Sequence, residues 1–212
     1  KMNLSRIKAV VFDCDGVMFD TATANRKFYD LVLDHFNKPP LTDTQFIQVH
    51  MMTVADAVSY LFAEMTDLKP VFQCVKQIGA HNFIPYMEIA DGLVELLADL
   101  KAHGYIRAVA TNRTDTMEQV LIHFGLKEQF DMVVTAADVK NPKPHPEQLE
   151  TIMDRFALSP DQILFIGDSI YDQQAAGAAG TVFAAFRQHR LDADLYAQAM
   201  ADIASALGIA DK

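Results

Sequence analysis

Two aspartates separated by one residue end the first apolar segment of the chain, in the sequence AVVFDCDGVMFD at residues 9–20. At about 4 Å and an effective dielectric constant near 20, ionised Asp13 and Asp15 repel one another by roughly 4 kcal/mol. A cation, a proton or a solvated turn is needed to offset that repulsion. The pair therefore indicates a site that handles metal ions or protons, unless it lies in a solvated turn.

Further polar residues follow other apolar segments of the chain. Thr111 and Asn112 come after YIRAVA, Lys143 lies in NPKPHP, and Asp168 and Asp172 belong to GDSIYD, directly after ILFI. Carboxylates with few basic partners suit a hard cation that keeps several waters, which favours Mg²⁺. A lysine and a hydroxyl group beside such a cation suit a phosphate group.

Each of these patterns also has a plainer interpretation. The two early acids fit a solvated turn, Thr111 fits a helix cap, and Cys14 between the acids fits a packed core thiol. Lys143 fits an exposed lysine on a loop at the rim of the fold, where it adds little stability. The occurrence of all the patterns in order, each after an apolar segment, favours a functional site.

Alternating strands and helices are the elements that must position these residues. The predicted strands lie at residues 7–12, 105–110, 130–134, 163–166 and 181–186, and helices are predicted at 91–103, 115–124 and 146–157. This alternation predicts an α/β fold with a doubly wound parallel sheet. Ligands of such sheets bind beyond the carboxyl ends of the strands, which is where the polar residues fall.

The segment 18–87 interrupts the alternation. It contains several amphipathic stretches and no convincing strand, and its predicted helices lie at 24–36, 43–51, 54–65 and 70–80. We interpret it as an inserted all-helical domain. The α/β core domain is then formed by residues 1–17 and 88–212.

Composition excludes several classes of function. The chain has 212 residues and a net charge of −10, so a nucleic-acid surface, which needs clustered Lys and Arg, is not expected. Cys14 and Cys74 are far apart and indicate no disulfide framework. No apolar run reaches membrane-spanning length, and the N-terminus is too short and polar for a signal peptide, so we expect a cytoplasmic protein. No feature indicates an oligomeric state.

The four motifs resemble those of a known family. DCDGV, the strand-terminal Thr111, the lysine of KPHP, and GDSIYD occur in the order found in the haloacid dehalogenase (HAD) superfamily. The helical insertion after the first motif resembles the C1-type cap of its phosphoglycolate phosphatase and β-phosphoglucomutase-like branch. The resemblance covers nearly the whole chain and implies a HAD-like Rossmannoid core that carries a cap.

The resemblance implies roles for the residues that react with phosphate. Asp13 is expected to be the nucleophile and to form an aspartyl-phosphate intermediate. Asp15 is expected to protonate the leaving group and then to deprotonate water. Thr111 and Asn112 are expected to hold the transferring phosphoryl group, and Lys143 to neutralise its charge and orient Asp13.

The resemblance also implies a metal site. Mg²⁺ is expected to be bound by Asp13, by the backbone carbonyl of Asp15 and by Asp168. Asp172 is expected to support that site from beside it. On this interpretation Mg²⁺ and Lys143 offset the repulsion within the early acid pair, and Gly16 lets the backbone turn away after it.

The function predicted is that of a Mg²⁺-dependent phosphatase acting on a small phosphorylated metabolite, a phosphate monoester. A phosphomutase of the β-phosphoglucomutase type is the nearest alternative. That branch carries a histidine twelve residues after the nucleophile, where this chain has Asn25, which cannot pass a proton as imidazole does. A dehalogenase is disfavoured because that branch lacks the second acid, and a signalling receiver domain because it is about half as long. The substrate stays open among phosphoglycolate, sugar phosphates and nucleotide monophosphates.

Overall fold

The computed structural model describes residues 4–79 and 82–209, which contain one six-stranded sheet and one two-stranded sheet. The strands are β1 Ala9–Phe12, β2 Phe19–Asp20, β3 Glu88–Ile89, β4 Ile106–Ala110, β5 Met132–Val134, β6 Ile163–Gly167, β7 Val182–Phe186 and β8 Leu195–Ala197. The larger sheet has the order β5-β4-β1-β6-β7-β8, and each neighbouring pair is parallel. This is the doubly wound α/β sheet that the sequence predicts, and the fold-class prediction is confirmed.

Strand β1 lies at the centre of the sheet because every residue in it is apolar and fully buried. Val11 is in register with Ala108 of β4 on one side and with Phe165 of β6 on the other. Burying a Val or Phe side chain contributes about 1.5–3 kcal/mol relative to leaving it exposed, which makes this register the strongly preferred one. The residues that follow β1, β4 and β6 therefore emerge side by side at one edge of the sheet.

Five helices of the described residues belong to the same unit as the large sheet. They are α5 Leu93–Ala102, α6 Thr116–His123, α7 Glu147–Phe156, α8 Ile170–Ala179 and α9 Met200–Leu207, numbered after the four helices that come earlier in the described chain. One face of the sheet packs with Leu149 and Ile152 of α7 and with Ala175 and Ala176 of α8 in a buried cluster. Helix α5 packs against β4 and α9.

The chain divides into two compact units, Lys1–Phe19 with Ile89–Lys212, and Asp20–Glu88. The second unit contains α1 Ala22–His35, α2 Asp43–Val49, α3 Val54–Leu61 and α4 Lys69–Ile78, with α1 against α4 and α2 against α3. Thr42 and Gln45 form a capping box that begins α2, and Thr53 caps α3. The last residue of the predicted helix 70–80, Ala80, lies outside the described residues.

Some elements differ from those predicted. The segment expected to contain no strand includes β2, two residues that pair with β3 where the chain enters and leaves the helical unit. The sequence patterns also did not indicate α8, β8 or α9. Within residues 4–79 and 82–209, every helix is too short or too polar to cross a membrane.

Candidate active site

The parallel strands bring the residues of the four motifs together at one edge of the sheet. Asp13 follows β1, Thr111 follows β4, and Asp168 follows β6, while β1 lies between the other two strands. The backbone N–H of Asp13 donates to the carbonyl of Ile166 on β6 at 2.9 Å, which extends the ladder to the first acid of the site. Lys143 joins them from the loop before α7.

Three carboxylates and one ammonium form the centre of this site. Carboxylate oxygens of Asp13, Asp168 and Asp172 lie within 4.8 Å of one another. Lys143 Nζ lies 2.8 Å from Asp13 Oδ1 and 2.7 Å from Asp172 Oδ1. The plainer interpretation of Lys143 as an exposed loop lysine is therefore wrong, because Lys143 is only 4% exposed and pairs with two buried acids.

The charge of the cluster fits a divalent cation. Three ionised carboxylates and one ammonium leave two negative charges unbalanced, and carboxylate oxygens are the ligands that hard divalent ions prefer. Burial and the charge of Asp172 raise the pKa of Asp13 from its ordinary 3.8 to about 7, although Lys143 opposes the shift. Burial, followed by the charges of Asp172 and Asp13, also raises the pKa of Asp168 well above 3.8. Both shifts therefore arise first from burial and then from the neighbouring negative charges, and a bound cation would relieve the second cause.

Asp172 organises the cluster from inside the protein. It is fully buried at the first turn of α8, with one oxygen on Lys143. Its other oxygen accepts hydrogen bonds from the backbone N–H groups of Asp168 at 3.2 Å and Ser169 at 3.0 Å, and from Ser169 Oγ at 2.5 Å. Gly167 makes this possible, because a Cβ there would lie 2.3 Å from the Asp172 Cβ. Asp172 thus fixes Lys143 and the Asp168 loop at once.

Gly16 allows the loop after Asp15 to approach Asp168. Its φ is +77°, and a Cβ at this position would lie 2.0 Å from Asp168 Oδ2. Only a residue without a side chain fits there, both for its backbone conformation and for the space available. The closeness of the first motif to the fourth therefore depends on this glycine.

Asp15 has a separate cationic partner, Arg113, which the sequence did not indicate. Arg113 Nε donates to Asp15 Oδ2 at 2.8 Å, and Arg113 Nη2 donates to Asp15 Oδ1 at 2.7 Å. The two side chains are 8% and 17% exposed. The only signal in the sequence is an arginine directly after Thr111 and Asn112, at the end of a predicted strand.

Hydrogen bonds between motifs hold the segment after β4. Asn112 Nδ2 donates to the carbonyl of Lys143 at 2.9 Å, so the amide expected to hold phosphate also fixes the lysine loop. Thr111 is buried, and its Oγ1 accepts from the backbone N–H of Arg113 at 3.1 Å. Gln148 Nε2, which sequence reasoning missed, donates to the carbonyl of Thr111 at 2.8 Å.

The comparison with protein families agrees with this arrangement. The model of the haloacid dehalogenase-like hydrolases matches residues 10–186, which include all of the motif residues. The chain belongs to the haloacid dehalogenase-like hydrolase family. The prediction of the family is thereby confirmed.

Curated relatives of this hydrolase are similar over most of its length. The pyrophosphatase PpaX of Bacillus velezensis is 29% identical over 184 residues, which cover 85% of this chain and 83% of the relative. The N-acetylmuramic acid 6-phosphate phosphatase of Pseudomonas aeruginosa is 30% identical over 196 residues, which cover 88% of this chain and 84% of the relative. These relatives confirm the prediction of an enzyme of the HAD phosphatase type.

A solved structure of the same family has the same fold. A HAD-superfamily hydrolase of subfamily IA, variant 1, from Geobacter sulfurreducens superposes with a TM-score of 0.77 at 35% identity. The match covers 96% of this chain and 97% of that one. The similarity extends over both units of the hydrolase.

Within the helical unit of this HAD hydrolase, Asn25 lies beside an imidazole. Asn25 Nδ2 is 3.0 Å from His50 Nδ1, although the two residues are 25 positions apart in the chain. The argument from the sequence rested on Asn25, whose amide cannot pass a proton as an imidazole does. The argument from Asn25 stays a prediction, and the structure adds that a histidine from a different segment is a hydrogen-bonding neighbour of that amide.

Proposed function

We propose that this protein is a Mg²⁺-dependent phosphatase that hydrolyses a small phosphate monoester through an aspartyl-phosphate on Asp13. The observation that carries the proposal is the buried Asp13 carboxylate, paired with Lys143 in a cluster that has two unbalanced negative charges. The names of the curated relatives support phosphate chemistry, and the Pseudomonas relative is named for a sugar phosphate.

In the first step of the proposed reaction, an Asp13 oxygen attacks phosphorus. The Asp13–phosphorus bond forms, the bond to the leaving oxygen breaks, and a proton from Asp15 goes to that oxygen. Lys143, 2.8 Å from Asp13, holds the nucleophile in place and neutralises charge on the phosphoryl group. Thr111 provides a hydroxyl group at the same edge of the sheet.

In the second step, water attacks phosphorus and gives a proton to Asp15. The Asp13–phosphorus bond breaks, so phosphate leaves and the carboxylate of Asp13 is restored. Asp13, Asp168 and the backbone carbonyl of Asp15 are the proposed protein ligands of Mg²⁺, with Asp172 in support. When bound, Mg²⁺ supplies positive charge that keeps the acids ionised and polarises the phosphoryl oxygens.

The test is a panel of phosphate monoesters assayed for phosphate release with and without Mg²⁺. Phosphoglycolate, sugar phosphates and nucleotide monophosphates are the compounds to include. The uncatalysed reaction is so slow that the barrier must fall by up to about 20 kcal/mol or more, so any real turnover will stand far above background. We expect release by the wild type only with Mg²⁺, and none by Asp13→Asn.

The matched control is Asp154→Asn, which changes an exposed aspartate on α7 and should keep wild-type activity. Turnover by Asp13→Asn at the wild-type rate would exclude Asp13 as the nucleophile. A second assay supplies β-glucose 1-phosphate with a catalytic bisphosphate and Mg²⁺ and follows two products, glucose 6-phosphate and free phosphate. If glucose 6-phosphate forms faster than free phosphate, the protein is a mutase and the proposed phosphatase function is wrong. The assignment of residues 18–87 as a cap domain and a location in the cytoplasm stay predictions.

A further inference from the structure

Gln148 is a fully buried amide beside the candidate active site. It lies in the first turn of α7, and its side chain reaches the segment after β4. Gln148 Nε2 donates to the carbonyl oxygen of Thr111 at 2.8 Å. A carbonyl can only accept a hydrogen bond, so the nitrogen of the amide is the atom that faces it. The contact with Thr111 therefore sets which way the Gln148 amide is turned.

The oxygen of the same amide makes this residue unfavourable for stability. Gln148 Oε1 is buried and has no hydrogen-bond partner among the residues that the structure describes. A buried polar atom in this state has lost the hydrogen bonds that it makes with water in the unfolded chain. A methionine or leucine of similar volume would fill the space without that penalty. A buried residue that conflicts with its surroundings in this way indicates a local function rather than packing.

The hydrogen bond from Gln148 falls where the sheet ladder ends. Strand β4 ends at Ala110, which is in register with Val134 of β5. The N–H of Thr111 still donates to the carbonyl of Val134 at 3.0 Å, whereas the Thr111 carbonyl accepts from the Gln148 side chain. These two bonds hold the backbone of Thr111 on both sides. The second of them depends on one side chain of α7.

The hydroxyl group of Thr111 takes its position from that backbone. Its oxygen accepts from the N–H of Arg113 at 3.1 Å, which directs the hydroxyl hydrogen away from that N–H. The next residue, Asn112, donates from Nδ2 to the carbonyl of Lys143 at 2.9 Å. Two amide side chains thus join the segment after β4 to the segment that carries Lys143 and Gln148. The hydroxyl of Thr111 and the ammonium of Lys143 are held in one frame.

We propose that Gln148 is a positioning residue that holds Thr111 where its hydroxyl group donates to the phosphoryl group of the substrate. This inference rests on the proposed phosphatase function, in which Thr111 lies at the same edge of the sheet as Asp13. A misplacement of about 1 Å in such a site can cost about 10²-fold in rate. The phosphoryl group is common to all phosphate monoesters, so the effect of Gln148 should not depend on the leaving group.

The test is Gln148→Met, which keeps most of the volume and removes the donor. We expect kcat/KM to fall by roughly ten-fold to 10²-fold, equally for phenyl phosphate and 4-nitrophenyl phosphate at saturating Mg²⁺. Inorganic phosphate presents the same oxygens to Thr111, so its inhibition constant should rise by about five-fold or more. The melting temperature should change by less than about 5 °C, because removal of the unpartnered oxygen offsets the lost hydrogen bond.

Thr111→Val shows whether Gln148 acts through the hydroxyl group. This variant keeps the shape of the side chain and should itself lower kcat/KM. In its background, Gln148→Met should cause less than about a two-fold further loss, because the group that Gln148 positions is absent. A full further loss in that background, or wild-type kinetics of Thr111→Val, would overturn the inference.

A purely structural effect of Gln148→Met gives a different kinetic pattern. A partly unfolded variant has a lower kcat, but its folded molecules keep the wild-type KM and the wild-type inhibition constant of phosphate. That pattern would overturn the positioning role. Gln148→Leu provides the same measurements if the methionine variant does not fold. If neither variant folds, the amide is needed for the fold itself and the inference is wrong.

The matched control is Thr181→Val. Thr181 is also buried, and its hydroxyl oxygen has no hydrogen-bond partner within the described part of the chain. It comes directly before β7 and therefore lies at the opposite edge of the parallel sheet from the acid cluster. We expect wild-type kcat, KM and phosphate inhibition from this variant. A loss equal to that of Gln148→Met would show that any buried polar group has this effect, which would overturn the inference.

Failure of the proposed function gives a different result. A wild-type protein that releases phosphate from neither ester, with or without Mg²⁺, would overturn the phosphatase and the inference that rests on it. A wild type that hydrolyses both esters, with unchanged kinetics in Gln148→Met, would overturn the role of Gln148 alone.

Discussion

Replacing Lys143 by methionine tests the charge balance of the site, because it removes one positive charge and keeps most of the volume. The ammonium lies 2.8 Å from Asp13 and 2.7 Å from Asp172, and Asp172 is fully buried. In Lys143→Met, the carboxylates of Asp13, Asp168 and Asp172 therefore lose the ammonium group that lies between them. The variant should therefore lose stability as well as activity.

The magnitude follows from the distances. At an effective dielectric constant of 20, each attraction at such a separation amounts to about 6 kcal/mol before desolvation of the lysine is subtracted. Removing one partner of a buried ion pair costs about 3–5 kcal/mol net. For a protein of this size each kcal/mol shifts the melting temperature by about 2–4 °C, so the expected fall is roughly 6–20 °C.

The assay is thermal unfolding in EDTA at pH 8, followed by circular dichroism. Lys140→Met is the matched control, since Lys140 is an exposed lysine of the same loop and should change the melting temperature by little. Lys143→Met/Asp13→Asn should recover part of the loss, because it also removes one of the unpaired charges. If Lys143→Met melts within about 2 °C of the wild type, the argument from charge balance is refuted.

Two further predictions concern the same cluster. In EDTA, the folded protein binds more protons than the unfolded chain between pH 3.8 and about 7 because the pKa of Asp13 is raised. Stability should therefore fall from pH 5 to 7, and added Mg²⁺ should raise the melting temperature more at pH 7 than at pH 5; a flat profile with no Mg²⁺ effect would contradict this. Gly16→Ala should abolish phosphate release and destabilise the protein well beyond Gly104→Ala, which shares a φ near +76° but has open space around it. Equal melting temperatures for the two glycine variants would show that the approach to Asp168 is not tight.

The central part of the fold could be predicted from the sequence because burial imposes a strong pattern. All four residues of β1 are apolar and buried, and the leucines of α5, which lies within the predicted helix 91–103, are buried. The edge strand β8 has only three residues, and its position is set by pairing with β7, which is a tertiary contact. Helix α8 is rich in alanine and has no stripe of large apolar residues, so its sequence alone did not indicate which side packs.

The candidate site residues could be picked out because they lie in polar motifs that come after apolar segments, but their partners could not. The path of the Lys143 loop depends on hydrogen bonds between distant segments, including Asn112 to the Lys143 carbonyl. Glu147 adds to this by accepting from the backbone N–H groups of Lys140 and Asn141, both at 2.9 Å. Local sequence gives no sign of these bonds, so the burial of Lys143 became evident only from the fold.

The same limit applies to the two aspartates of the first motif. The sequence left open whether a cation, a proton or a solvated turn offsets their repulsion. In the structure each carboxylate has its own positive partner, Lys143 for Asp13 and Arg113 for Asp15. Asp13 shares its lysine with Asp172 and has a pKa raised to about 7, whereas Asp15 is held by both oxygens in a matched pair. Two neighbouring carboxyl groups in different charge environments are suited to different tasks, because environment sets which one gives up or keeps a proton. The two acids of the first motif therefore lie in different ion pairs, while the roles of nucleophile for Asp13 and proton carrier for Asp15 stay predictions.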